Sequence, residues 1–155
     1  MDQNKEQFSK LLNELELVDI QLMYLESYKN QPSPEIPEDV SLLVNLGYPK
    51  DSPFSKGENS TIVFMPKYRI SLFASSDKKT ISEDSVSIFQ VNLGYTVIFR
   101  INNEEQFDTY FNNEEIRTVF MKNQIDKILR PYLRQQYSDL ANRHSLHVPA
   151  LPLVR

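Results

Sequence analysis

Apolar and polar residues alternate along four stretches of the chain, and this alternation predicts four β-strands. Successive side chains of a strand point to opposite faces, so a period of two marks a segment with one buried face. The predicted strands span residues 18–28, 40–47, 62–75 and 85–101. The first stretch also fits a long helix, and periodicity alone leaves that alternative open. Because no helix of crossover length separates the stretches, the sheet is predicted to be antiparallel.

Glycine and proline residues predict where these strands are interrupted. Residues 47–60 include Gly57 and Pro53 and are predicted to form a loop. Gly94 lies midway along the last predicted strand, where it indicates a bulge or a bend.

Two segments have the three-to-four-residue spacing of an amphipathic helix. Leu11 and Leu15 belong to a stripe that predicts a short helical extension over residues 1–16. Residues 113–143 carry a longer stripe, and Pro131 inside it predicts a kink or a boundary. The side chains expected to face the sheet are Ile128, Leu129, Tyr132 and Leu140. Those expected to face solvent or another protomer are Lys127, Arg130 and Arg134.

These elements predict an α+β fold in a single domain, residues 1–155. The expected architecture is a four-stranded antiparallel sheet with a long, kinked C-terminal helix packed on one face, plus the short N-terminal helix. Residues 145–155 mix apolar residues with prolines and are predicted to form an extended tail.

The charge of the chain is unevenly distributed. Residues 116–155 carry seven basic and two acidic residues, whereas residues 1–115 carry ten basic and nineteen acidic ones. If these segments form separate layers, their fields can steer partners or pair protomers. The alternative is solvated charge with no partner.

The residue types present argue against most catalytic chemistry. Cysteine is absent and only three glycines exist, which excludes thiolate sites and phosphate-binding glycine loops. His144 and His147 have no nearby carboxylate, so neither a metal site nor a catalytic site is expected. No cofactor, no nucleic acid and no membrane insertion are predicted. A cytoplasmic location is expected, because the start of the chain is not a signal peptide and no apolar run approaches a membrane span.

The predicted C-terminal helix resembles a motif of the SecB export chaperones. Residues 128–134 read Ile-Leu-Arg-Pro-Tyr-Leu-Arg, which is similar to the family's Ile-Leu-x-Pro-Tyr-x-Arg. The motif residues are Ile128, Leu129, Pro131, Tyr132 and Arg134. Segments 40–44, 68–72 and 88–94 look like the family's second, third and fourth strands, so the resemblance covers roughly residues 18–154.

The resemblance implies a SecB-like fold that assembles into homodimers and homotetramers. It also implies exposed apolar grooves that hold unfolded preproteins, and acidic sheet positions that dock the export motor. The chain departs from the family pattern at Gln90, where an acidic residue is expected, and at His144, where the family has glycine. The N-terminal helix is an addition to the pattern.

The expected function is therefore non-catalytic binding of unfolded or partly folded polypeptides, as a holdase-type chaperone with export machinery as a further partner. The alternative is an adaptor or oligomeric scaffold that uses the same fold to bind one defined partner. The candidate client-binding residues are Tyr95, Phe99, Leu146, Val148, Leu151 and Leu153. The tail residues among them either line a groove or cover the core.

Overall fold

The computed structural model of the chain describes residues 2–29, 41–47, 53–75 and 86–143. Its helical segments are α1 (Asp2–Asn13), α2 (Glu104–Phe111), α3 (Glu114–Phe120), a π-helical turn (Met121–Ile125), called the π turn below, and α4 (Asp126–Arg143). Its strands are β1 (Leu15–Lys29), β2 (Ser41–Gly47), β3 (Phe54–Lys56), β4 (Thr61–Phe64), β5 (Lys67–Ser75) and β6 (Val86–Ile101). The predicted tail lies outside the described residues.

Six strands are hydrogen-bonded in the order β2-β5-β6-β4-β3, with β1 also paired with β6. The pairs β2–β5, β5–β6, β4–β6 and β3–β4 are antiparallel. The α+β class and the antiparallel sheet are therefore confirmed, but the number of strands is six and not four. The predicted strand 62–75 is divided at Met65 and Pro66, because proline has no amide hydrogen to donate to the ladder. β3 lies within the predicted loop 47–60.

The periodicity of residues 18–28 fits either a strand or a long helix. In the structure these residues belong to strand β1. The N-terminal helix is shorter than predicted: α1 ends at Asn13, and Leu15 already begins β1. The amide of Glu14 donates to the carbonyl of Leu11 at 3.0 Å and closes the last turn of the helix. Leu11 itself is buried, so α1 has an anchored apolar face.

The bulge in β6 lies at Ile88 and not at Gly94. Leu72 pairs with Phe89 and Phe73 pairs with Ser87, so Ile88 is the extra residue. Gly94 has a different role, because an added Cβ there would collide with the ring of Tyr24. Glycine is required at this position so that an aromatic ring can lie directly on the strand.

The chain divides into two compact units. The first consists of residues 1–23, 50–66 and 95–129, and a cluster of phenylalanines fills its core. The buried members of the cluster are Phe64, Phe99, Phe107, Phe111 and Phe120, and the exposed Phe54 contacts the cluster at its border through Phe111. Ring centroids are 4.8 Å apart for Phe107 and Phe111 and 5.3 Å apart for Phe64 and Phe120. Such tilted and stacked contacts stabilise the core beyond the burial of area.

The second unit consists of residues 24–49, 67–94 and 130–155. Alternate residues of β5 and β6 form its core with the part of α4 that follows residue 129; the buried side chains are Ile70, Leu72, Phe89, Val91, Leu93, Leu133, Tyr137 and Leu140. The rings of Phe89 and Tyr137 are 6.3 Å apart. The expectation of a single domain stays a prediction.

The predicted helix over residues 113–143 is present, but its regularity changes at the π turn and not at Pro131. Asn113 begins it as an N-cap, with its side chain accepting a hydrogen bond from the amide of Glu115 at 3.0 Å. α4 continues through Pro131, so the boundary expected there is absent from the described helix. α2 was not predicted at all, although Asn103 caps it in the same way by accepting from the amide of Gln106.

The buried residues of α4 agree only in part with the predicted ones. Leu129 and Leu140 face the core as predicted, and Lys127 is exposed as predicted. Tyr132, however, is 44 % exposed and Arg130 only 9 % exposed, so both predictions were wrong. The buried stripe follows a four-residue spacing through Leu133, Tyr137 and Ala141. Ile128 and Arg134 are half-buried at its borders.

Candidate functional site

β1 carries exposed apolar side chains within the first unit. Leu17, Val18, Leu22 and Met23 are 44, 50, 41 and 61 % exposed, and we call these four residues the β1 apolar strip. Because side chains alternate along a strand, Val18 and Leu22 lie on one face and Leu17 and Met23 on the other. An apolar surface on both faces of one strand is typical of a segment that other chains contact.

The backbone of β1 has a free edge among the described strands. Its strand neighbour there is β6, and over residues 15–23 the opposite edge has no ladder partner among the described strands. Asp19 lies in the middle of the strip and covers part of this edge, since its carboxylate accepts from the amide of Ile20 at 2.9 Å. The same carboxylate accepts from the side-chain amide of Gln21 at 2.7 Å. The edge can therefore receive an extended polypeptide, with one carboxylate close to where that polypeptide would lie.

Gln90 lies in the second unit among polar side chains and not in an acidic cluster. Its side-chain amide donates to Oδ1 of Asn92 at 3.2 Å, and Nε of Arg69 donates to the same oxygen at 3.3 Å. Arg69 and Asn92 are directly paired across β5 and β6. This part of the sheet presents hydrogen-bond donors and a positive charge at the surface.

Perturbed titratable groups do not form a catalytic constellation in the described part of the chain. Burial raises the pKa of Tyr137 to about 12, and its hydroxyl has no hydrogen-bond partner there. The hydrogen bond to Glu26 raises the pKa of Tyr28. On α1, the hydrogen bond and charge of Lys10 lower the pKa of Glu6, while Glu6 raises the pKa of Lys10. These are one core group and two exposed surface pairs.

The described residues form neither a metal-binding cluster nor a membrane-spanning helix. No group of three or more carboxylate or imidazole side chains in the described ranges is placed to hold a metal ion. Over those ranges, every helix is too short or too polar to cross a membrane.

The arrangement of the strands and the C-terminal helix has a counterpart among solved structures. The chain is similar to Mycobacterium tuberculosis Rv1957, a SecB-like chaperone solved in complex with a ChAD peptide from the Rv1956 HigA1 antitoxin. The TM-score is 0.64 over the whole length of both chains, and the sequences are 13 % identical. The fold is SecB-like. No protein-family model and no curated protein sequence matches the chain.

The SecB-like fold places the predicted client-binding residues differently from the sequence expectation. Tyr95 and Phe99 are 3 and 5 % exposed, because they belong to the alternate residues of β6 that face the core. They offer no surface to a client, and their selection as binding residues was wrong. Leu146, Val148, Leu151 and Leu153 lie outside the described residues, so their role stays a prediction.

The motif residues of the SecB-like helix have mixed positions. Leu129 is fully buried and Ile128 and Arg134 are half-buried, whereas Pro131 and Tyr132 are exposed. One part of the motif therefore holds the helix on the core, and the other part presents surface.

Sequence reasoning missed the β1 apolar strip, although the signal was present. Val18, Ile20 and Leu22 alternate on one face, and Leu17 and Met23 lie directly before and after them on the other face. Apolar residues therefore occur on both faces of the strand. A strand that is apolar on both faces is either buried on both sides or exposed to a partner. Among the described strands β1 has one neighbour, β6, and this favours exposure to a partner over burial on both sides. The number of neighbours depends on the strand order, which a local sequence pattern does not show.

Proposed function

We propose that this chain is a SecB-like polypeptide-binding chaperone that holds unfolded or partly folded chains and acts by binding and not by catalysis. The β1 apolar strip is the observation that carries the proposal. Over residues 15–23 it combines a strand edge that is unpaired among the described strands with four exposed apolar side chains, which are the two features that an extended polypeptide needs for docking by strand addition.

The size of the strip is consistent with weak and reversible binding. Complete burial of such a side chain contributes about 1.5–3 kcal/mol, and these four are already about half buried, so each adds about 1 kcal/mol. Association of two chains costs roughly 4 kcal/mol or more. Net binding therefore requires backbone hydrogen bonds along the edge in addition to the apolar contacts of the strip. Such binding depends little on client sequence, as a holdase requires.

The tail residues Leu146, Val148, Leu151 and Leu153 are proposed as a second apolar contact for clients. Two prolines in residues 145–155 favour an extended backbone that can lie beside another chain. Assembly into a homodimer or homotetramer is also proposed, because the outer edges of the sheet have no further partner strand among the described strands and the two charge segments are of opposite sign. Contact with export machinery stays a prediction of the resemblance alone.

The alternative function is an adaptor for one defined partner. The observation that favours it is the neighbour Rv1957, which was solved with a peptide from an antitoxin. An adaptor of this kind would bind a single partner tightly and would leave unrelated unfolded proteins unprotected.

Light scattering of heat-denatured client proteins separates the two functions. The intact chain is expected to suppress aggregation of several unrelated clients at severalfold molar excess. The double variant Leu22→Thr with Met23→Thr removes apolar surface and keeps strand propensity, so it is expected to lose most of this protection while remaining folded.

The matched control is Val119→Thr, which changes an exposed apolar residue on α3 to an isostere. It is expected to protect clients as the unmodified chain does. A folded chain that protects none of several clients would end the chaperone proposal and favour the adaptor. Full protection by the strand double variant would show that clients bind elsewhere.

A further inference from the structure

The second unit contains a shallow surface hollow whose lining is rich in hydrogen-bond donors. Its volume is about 440 Å³. Its lining includes Tyr24, Glu26, Gly47, Lys67, Arg69 and Asn92. All six belong to the second unit, whereas the four residues of the β1 apolar strip belong to the first.

Strand register explains why these residues meet. Gly47, Arg69 and Asn92 form one cross-strand row, because Arg69 pairs with Gly47 on β2 and with Asn92 on β6. Lys67 pairs with Gly94 in the next row on the same face, two residues along β5. Gly47 contributes no side chain, which leaves the space beside Arg69 open.

One hydrogen bond fixes the side chain of Arg69 and leaves its other donor groups available to a ligand. Nε of Arg69 is occupied by Oδ1 of Asn92 at 3.3 Å, so its terminal guanidinium nitrogens remain available. Oδ1 of Asn92 also accepts from Gln90 at 3.2 Å, and these two donors fix which end of the amide is oxygen. Among the described residues, neither Arg69 nor Lys67 forms an ion pair within 4.0 Å.

The remaining walls set the charge and the shape of the hollow. The ring of Tyr24 lies over Gly94 and forms an apolar side wall. Glu26 is the one carboxylate among the described lining residues, and it accepts a hydrogen bond from the hydroxyl of Tyr28 at 2.8 Å. The two cations and one anion of the described lining give a net positive charge, in a chain whose total charge is −4. A positive hollow on an acidic protein attracts anionic groups selectively.

We propose that this hollow binds an acidic segment of a partner polypeptide, with two carboxylate side chains at alternate positions of an extended backbone. Lys67 and Arg69 are two residues apart on one face of a strand, so their side chains begin about 7 Å apart. Alternate side chains of an extended peptide have the same spacing. One carboxylate contacts the guanidinium of Arg69 and the amide of Asn92, and the other contacts Lys67.

A polyanion of high charge density fits less well. Nucleic acid binding uses many cations along a backbone, whereas the hollow has two and also contains Glu26. The peptide assignment goes beyond client capture at the β1 apolar strip, because it depends on charge and sequence and not on apolar surface.

Fluorescence anisotropy with a labelled peptide tests the proposal on the full-length chain. The probe is an extended peptide of alternating Glu and Ser, and its matched control has Gln in place of every Glu. The Glu peptide is expected to bind at low salt and to weaken as salt is raised. The Gln peptide is expected to bind about tenfold more weakly than the Glu peptide. The variant Arg69→Gln is expected to bind the Glu peptide about tenfold more weakly than the unmodified chain does.

The control variant is Lys122→Gln, which removes an exposed cation of the π turn outside the hollow. It is expected to leave the affinity within about twofold, and circular dichroism checks that each variant is folded. Equal binding of the Glu and Gln peptides, or full affinity in the Arg69→Gln variant, would overturn the proposal. So would a short RNA that binds more tightly than the Glu peptide and displaces it. Client protection by Arg69→Gln should be unchanged, so failure here is distinguishable from failure of the chaperone function.

Discussion

Tyr137 provides the sharpest test of the second unit's core, because its buried hydroxyl lacks a partner among the described residues. The side chain is fully buried and its ring lies 6.3 Å from that of Phe89. A buried hydroxyl without a hydrogen bond costs about 1–3 kcal/mol relative to water. The variant Tyr137→Phe removes this group and keeps the ring. It is expected to raise the free energy of unfolding by about 1 kcal/mol at neutral pH.

The pKa of the same hydroxyl predicts how this difference varies with pH. Burial raises the pKa of Tyr137 from 10.0 to about 12 in the folded chain. Below pH 10 the phenol is protonated in both states and adds no pH dependence. Between pH 10 and about 12 only the unfolded state loses the proton, so the stability of the unmodified chain falls as pH rises. The total loss is about 3 kcal/mol, because each pKa unit corresponds to about 1.4 kcal/mol.

Urea unfolding of both chains, followed by circular dichroism, measures these quantities. The other tyrosines titrate in both chains, so the difference between the two curves isolates Tyr137. The advantage of Tyr137→Phe should be constant below pH 10 and grow above it. A variant that is less stable than the unmodified chain at neutral pH would show that the hydroxyl has a partner. A difference that stays constant above pH 10 would refute the burial of Tyr137.

Three further predictions follow from other elements. Leu129→Ala deletes a fully buried side chain and should lower the free energy of unfolding by about 2–5 kcal/mol in urea melts, and a loss below about 0.5 kcal/mol would contradict its place in the core. Changing Leu151 and Leu153 together to Ser should weaken client protection with little change in melting temperature, and a large drop in that temperature would show that the tail covers the core. Light scattering at low salt should detect at least a dimer, whereas a monomer at high micromolar concentration would contradict assembly through sheet edges and charge.

Period-two alternation located the sheet because burial of one face is a local property. Residues 85–101 were predicted and 86–101 are observed, since every second side chain of β6 faces the core. β3 was missed because three residues are too few to show a period, and Phe54 is recognised as part of a strand only through its pairing with Phe64. The local alternation in β1 could not reveal its free edge, because strand order is a property of the whole chain.

The helix shows the same limit at the level of single residues. The predicted stripe placed Ile128 and Tyr132 on the buried face together with Leu129. The buried residues instead run from Phe120 to Ile125 with a spacing of five and then continue in steps of four. The five-residue spacing between Phe120 and Ile125 is visible in the sequence. Only a structure shows that the extra residue is accommodated in the π turn.

The π turn also determines where the length of this chain can change during evolution. It contains one residue more than an α-helical path between Phe120 and Ile125 would need. Deletion of one exposed residue, such as Asn123, would give an ordinary α-helix in which the buried residues on both sides keep their faces. A relative with an uninterrupted helix is therefore expected to be one residue shorter here. If such a relative is aligned with this chain without a gap at residues 121–125, every residue of α4 is compared with a residue of the relative that is one position away from its true counterpart.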